Sequence, residues 1–250
     1  MLEIKRITQR FGGVTALEDV SFSIRPNEIT GIIGPNGAGK TTLFNIISGI
    51  YRQTAGTIIF DDKDISGMPP EQLALRGLVR TFQNVELFSQ MTVLENAMVG
   101  LHTKGRSGIF SCMLKTPGNL IEERRIREQA RHWLEYTGIA DLADIKAGNL
   151  PFGKGRMLEI ARAMAIEPRI ILMDEPAAGL NNRETAELAA LIRRIRDAGV
   201  TIVLVEHDMD LVMDVCESIL VLNLGRKLAE GTPCEIQENQ AVIAAYLGEG

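Results

Sequence analysis

The nine residues GPNGAGKTT at 34–42 combine three glycines with one lysine and two threonines. Gly34, Gly37 and Gly39 permit backbone conformations and close approaches denied to residues with a Cβ. With Pro35, Asn36 and Ala38 between them, they let consecutive N–H groups converge on phosphate oxygens at a helix N-terminus. Lys40 adds a point charge, Thr41 offers a hydroxyl to Mg2+, and Thr42 completes the nucleotide-binding run. Taken alone, such a run is also readable as a glycine-rich turn with a solvated lysine; a phosphate loop requires a strand before it and a helix after it.

A second group of reactive side chains lies in IILMDEP at 170–176. An apolar strand ending in Asp174 puts a carboxylate at the C-terminal edge of a sheet, where ligands of open α/β sheets bind, and there it can hold magnesium through a water. Glu175 is offset by one residue and can accept a hydrogen bond from an attacking water, the role of a general base or water positioner. A solvent-facing acidic pair is the commoner fate of such a strand end.

The flanking elements supply the context both groups need. ITGIIG runs as an apolar strand into the glycines, and TLFNIISGI beyond them has helical periodicity closed by Gly49. RIILMDE, TIVLVEH and SILVLNLG are short, branched and apolar, as buried parallel strands are, with the helical TAELAALIRRIRDAG between the first two. LEIKRI, FGG, VSFSI and RPNE alternate strand and turn character at the start of the chain. From about 87 to 165 helical patterns dominate, and Ile126, Ala130, Trp133 and Leu134 share one face of a helix. Thr232, Pro233 and Glu235 form a capping pattern that starts a terminal helix. The expected organisation is one 1–250 domain: an α/β core over 1–86 and 166–230, a helical insertion over 87–165, and a C-terminal helix over 231–250.

Composition limits the partners. A 250-residue chain with 45% hydrophobic residues can bury a substantial core, and a net charge of −5 disfavours a general nucleic-acid binder. Cys112, Cys216 and Cys234 lack metal-ligand spacing and leave one unpaired in any disulfide scheme, which points to a reducing cytoplasm. MLEIKRITQR carries charge where a signal peptide would be apolar, and no apolar run approaches the roughly 18 residues of a membrane span. Any membrane role is expected to come through a partner.

The order of Phe11, GPNGAGKTT, Gln83 in RTFQN, LPFGKGR, ILMDEP, AGLN and His207 in LVEHD resembles the ATP-binding subunits of ABC transporters over nearly the whole chain. The resemblance implies a P-loop NTPase (RecA-like) α/β core with an antiparallel β subdomain and an inserted α-helical subdomain, using ATP and Mg2+. It further implies that Phe11 stacks on adenine, Gln83 bridges Mg2+ and water while sensing a neighbouring subunit, and His207 donates to the γ-phosphate. By the same resemblance, LPFGKGR closes in trans over ATP held by a second ATP-binding subunit, with Gly153 among its donors. The segment departs from Leu-Ser-Gly-Gly-Gln: Pro151 stands for the serine, Phe152 for the first glycine and Lys154 for the glutamine. Pro151 offers neither hydroxyl nor N–H, whereas Gly153 and a helix expected to begin near Lys154 still donate.

RTFQNVELFSQMTVLENAMVGLH, AGLN and EGTPCEI look most like the subunit serving branched-chain amino acid import. That resemblance implies a peripheral protein on the cytoplasmic face of the membrane, attached to permease subunits and served by an external solute-binding protein. HTKGRSGIFSCMLKTPG, with Phe110, Met113 and Leu114, reads equally as a surface loop or as a docking surface for the permease. Two other classes share parts of this pattern: a soluble ABC-type ATPase acting on ribosomes or DNA, and a P-loop kinase. The first lacks its second motif set or coiled-coil insertion, and the second leaves LPFGKGR, Gln83 and His207 without a joint purpose.

Overall fold

Every residue of ITGII is buried, and this strand, β3 (Ile29–Ile33), runs in the interior of a six-stranded sheet. The computed structural model describes residues 2–81, 87–102 and 117–247. Around β3 the sheet contains β6 (Leu78–Arg80), β7 (Ile170–Asp174), β8 (Thr201–Val205), β9 (Ser218–Asn223) and β10 (Arg226–Gly231), in the order β10-β9-β3-β8-β7-β6. β6, β7, β8, β3 and β9 are parallel to one another, and only the edge strand β10 is antiparallel. β7 and β8, like β3, are buried at every position, which is why their sequences are continuously apolar.

A second sheet of β1 (Leu2–Phe11), β2 (Val14–Ile24), β4 (Ala55–Phe60) and β5 (Lys63–Asp64) is antiparallel, in the order β2-β1-β4-β5. Its strands alternate buried and exposed residues, interrupted by register shifts. One cluster of buried apolar side chains joins Leu2, Ile4 and Phe60 of this sheet to Leu172, Val203 and Leu220 of the first. Phe44 and Ile47 of α1 (Lys40–Ile47) belong to the same cluster.

The chain divides into two compact units. One comprises Met1–Arg80, Arg169–Ala178 and Thr185–Gly250 and holds both sheets; the other comprises Thr81–Pro168 and Gly179–Glu184. The first unit also contains α1, α2 (Pro70–Leu75), most of α6 (Asn182–Asp197), α7 (Met209–Val215), α8 (Pro233–Glu238) and α9 (Gln240–Leu247). The second is built from α3 (Val93–His102), α4 (Pro117–Tyr136) and α5 (Phe152–Met164). Ile126, Ala130 and Leu134 are buried along α4, as the sequence pattern requires, and Trp133 is half-buried and packs edge-on against Tyr136.

Three local features differ from the sequence expectations. Residues 179–184 group with the helical unit although they follow β7, because Gly179 lies against the Phe152 ring and Glu184 lies against Gly153. The terminal segment is two helices, not one: Thr232 and Glu235 form the expected capping box on α8, but Asn239 ends that helix. The Asn239 side chain then accepts from the N–H groups of Ala241 and Val242 and starts α9. Finally, α5 begins at Phe152 with Pro151 as its N-cap, two residues before Lys154.

Because β3, β7 and β8 are parallel and in register, their C-terminal ends lie along one edge of the sheet. Ile32 and Asp174 both pair with Val205. Gly34, Glu175 and Glu206 therefore leave the sheet side by side, which is the crevice where open α/β sheets bind ligands.

Candidate functional site

The chain leaves β3 into a tight loop that ends on α1. Ala38 donates its N–H to the Pro35 carbonyl, and Gly225 of the β9–β10 turn donates to the Ala38 carbonyl. Gly39 caps α1 in the left-handed region, at φ 101°, and no side chain caps the helix. Its first N–H groups and the positive end of its dipole thus stay available to an anion. The Lys40 ammonium is buried and donates to the Gly34 and Pro35 carbonyls, curling the loop around itself.

Gly34 sits at φ 149°, and a Cβ there would stand 2.1 Å from the Leu222 carbonyl oxygen. Backbone from β9 cannot yield as a flexible side chain would. Gly34→Ala is accordingly expected to destabilise the fold by about 2–3 kcal/mol, measured as a lower urea midpoint at unchanged m-value.

Opposite this loop, Glu175 follows β7 with φ 45°, a conformation that costs a non-glycine residue of order 1–3 kcal/mol and persists where the surroundings impose it. Its N–H donates to the Val205 carbonyl, and its own carbonyl accepts from Ala178. The bend brings Glu175 Oε1 to 3.2 Å from His207 Nε2. Both side chains, with residues 36–42, line a cleft of about 660 Å³. That volume is within the usual range for a small-molecule site. The pair Lys40 and Thr41, Glu175 and His207, from three distant stretches of the chain, share one cavity.

Asp174 is buried beside this group and ion-paired through Oδ2 to Nη2 of Arg80 at 2.6 Å. Glu206 is also buried; its carboxylate accepts from Ala177 N–H at 2.7 Å, His207 N–H at 2.9 Å and Asp208 N–H at 3.3 Å. Burial pushes this carboxyl above its ordinary value, against the downward pull of those three donors. Through them Glu206 ties the segment after Glu175 to the backbone of His207.

Other expected residues stand outside the lining of this cleft or outside the described residues. Phe11 is 45% exposed and meets Tyr51 edge-on at 5.5 Å; the apolar lining of the cleft comes instead from Val14, Ala16 and Leu224. Gln83 lies outside the described residues, as does the stretch with Phe110, Met113 and Leu114. Gly153 is buried in the first turn of α5, in the helical unit, where a Cβ would collide with the Glu184 carboxylate. Arg80, Glu206, Val14 and Leu224 were missed by sequence reasoning. A charged residue at a strand end reads as solvated, and the apolar pair is separated by more than two hundred residues.

The donor set fits a nucleotide phosphate with its cation. Lys40, an uncapped helix N-terminus and glycines crowded by neighbouring backbone suit a polyanion. Among the described residues no three of His, Cys, Asp and Glu gather as a metal cage. Thr41 in the cleft and Asp174 beside Glu175 carry hard oxygens of the kind Mg2+ takes when phosphates complete its shell.

Residues 17–178 match the ABC transporter family, and residues 226–250 match the branched-chain amino acid ATP-binding cassette transporter family. The chain is 46% identical to the high-affinity branched-chain amino acid transport ATP-binding protein BraF of Pseudomonas aeruginosa, over all of this chain and 98% of BraF. It is similar to the ADP conformation of MJ1267, an ATP-binding cassette of an ABC transporter, with a TM-score of 0.86 and 33% identity over 99% of this chain and 98% of that one. It is also similar to the dimeric post-hydrolysis state of the ATP-binding cassette MJ0796 bound to ADP and Pi, with a TM-score of 0.78 and 27% identity over 93% and 99% of the two chains.

Proposed function

This chain belongs to the ABC transporter family as an ATP-hydrolysing cassette, and from that premise we propose that it energises import of branched-chain amino acids through a membrane permease. The observation carrying this reading is the cleft that joins the phosphate loop to Glu175 and His207. The cargo follows the full-length likeness to BraF, and pairing with a second ATP-binding subunit follows the likeness to dimeric MJ0796. Among the described residues no helix is long and apolar enough to cross a membrane. The permease therefore provides the passage, with this chain on its cytoplasmic face and an external solute-binding protein choosing the solute.

Lys40, the loop amides and the N-terminus of α1 hold the β- and γ-phosphates and offset their charge. Thr41, Asp174 and Gln83 would hold Mg2+, which would neutralise charge on the phosphate oxygens. Glu175 accepts a hydrogen bond from water, whose oxygen attacks the γ-phosphorus as the bond to the bridging oxygen breaks and ADP leaves. His207, within reach of Glu175, keeps that carboxylate oriented and donates toward the γ-phosphate. Phe11, 45% exposed, is free to present its face to the adenine beside the cleft. A second subunit's Gly153 and α5 N-terminus close the site from the other side, so closure is coupled to occupancy.

Pro151 limits this last contact. As N-cap of α5 it makes no side-chain cap. Pro151→Ser restores a hydroxyl that can cap the helix, worth about 1 kcal/mol, and can reach a phosphate. The expected outcome is a melting temperature higher by about 2–4 °C, together with faster ATP turnover. Turnover at the parental rate would assign the contact to backbone alone.

The whole reading is tested by co-expressing the chain with its membrane assembly and following labelled leucine uptake by vesicles. Uptake should require ATP and stop with Glu175→Gln. Leucine uptake that proceeds without this chain would remove the cargo assignment.

A further inference from the structure

We propose that Arg80 is a positioning residue for the magnesium site, holding Asp174 by one oxygen so that the other is presented to the metal shell. The inference rests on the reading above that Asp174 serves Mg2+.

Arg80 ends β6, the strand beside β7, and is the last residue of its unit before the chain enters the helical one. Its guanidinium is almost fully buried and engages the two elements that carry the site. Nη2 meets Asp174 Oδ2 at 2.6 Å, while Nη1 donates to Asn45 Oδ1 at 2.6 Å and to Ser48 Oγ at 2.8 Å. Its Cζ lies over the Phe44 ring, 5.0 Å from the centroid. Phe44 and Asn45 belong to the helix that opens with Lys40 and Thr41, and Ser48 is its C-cap. One side chain therefore ties the helix leaving the phosphate loop to the strand that ends in the metal carboxylate.

Stability alone gives a poor account of this arrangement. Two charges withdrawn from water offset much of their own attraction, and apolar residues of similar volume commonly serve a fold as well. What an ion pair adds is direction. The planar fork of arginine bonds the helix on one side and the carboxylate on the other while stacking on an aromatic face, a combination that the single ammonium of lysine cannot reproduce. With Oδ2 committed to Arg80, the carboxylate cannot rotate freely. Partners of this kind, behind a metal-binding group, typically change metal affinity by 10–100-fold when altered.

The test measures binding of a fluorescent non-hydrolysable ATP analogue to the full chain across Mg2+ concentrations and in EDTA. Arg80→Lys, which keeps the buried charge, is compared with wild type, Asp174→Asn and the double variant. The expected result for Arg80→Lys is unchanged affinity in EDTA and a Mg2+ half-saturation raised on the order of ten-fold. In the Asp174→Asn background the same substitution should produce no further rise, because Arg80 acts through that carboxylate.

An equal loss of affinity with and without Mg2+ would show a purely structural role and overturn the proposal, as would an unchanged half-saturation. If Asp174→Asn leaves the Mg2+ half-saturation of the wild type unchanged, the metal reading of Asp174 fails, and the proposal fails with it. Because Arg80→Lys is compared with wild type, that outcome is distinct from a failure of Arg80 alone.

Discussion

Glu175→Gln is expected to bind ATP with near-parental affinity and to lose turnover by about 10²–10⁴-fold, the usual contribution of a positioned general base. The substitution is nearly isosteric and leaves the phosphate loop and Lys40 untouched. The backbone at 175 keeps its bonds to Val205 and Ala178, so the left-handed bend is preserved. What changes is the side chain: an amide at the position of Oε1, 3.2 Å from His207 Nε2, is a far weaker acceptor for a water proton than a carboxylate. Two subunits that close on ATP and cannot hydrolyse it should accumulate as a closed dimer. Phosphate release and gel filtration with ATP check both halves, and hydrolysis at the parental rate would remove Glu175 from the chemistry.

Lys40→Ala should weaken ATP binding by about 10–100-fold, corresponding to roughly 1.5–3 kcal/mol for hydrogen bonds to a charged group. Its ammonium occupies the centre of the loop on the Gly34 and Pro35 carbonyls and stands in the cleft, so its charge is already in place before a phosphate arrives. Truncation removes that charge and takes one donor from each of the Gly34 and Pro35 carbonyls, of which Pro35 keeps the Ala38 N–H. A calorimetric titration with ATP in EDTA reads the loss without any metal contribution, and a thermal melt reports the effect on the loop. Affinity equal to that of wild type would contradict the phosphate role of the lysine.

The two predictions differ in how their residues became visible. Lys40 could be read from adjacent letters, because a strand, three glycines and a helix occupy consecutive positions and local backbone geometry does the rest. Glu175 was readable as a strand-end acid able to position a water, but without the partner that orients it. Its partnership with His207 depends on β7 and β8 lying next to each other in parallel register, a relation that no spacing in the chain states. Arg80 and Glu206 were hidden for a related reason: buried charges persist only when paired, and their partners come from other elements. The break at Asn239 was hidden differently, since an asparagine inside a helical pattern shows its capping role only when the chain turns there.

The sequence by itself determined the chemistry available to this protein: a loop for phosphates, a strand-end carboxylate pair, buried parallel strands and a helical insertion. Each of these arises from local constraints, namely glycine freedom, apolar periodicity and caps, which act over a few residues and leave their pattern in order along the chain. Tertiary structure alone decided which oxygen of Asp174 is held by Arg80, how Glu206 joins His207 to the strand end, and that Val14 and Leu224 line the cleft. Those outcomes depend on contacts between residues tens to hundreds of positions apart, and such contacts exist only once burial has brought the strands and helices together.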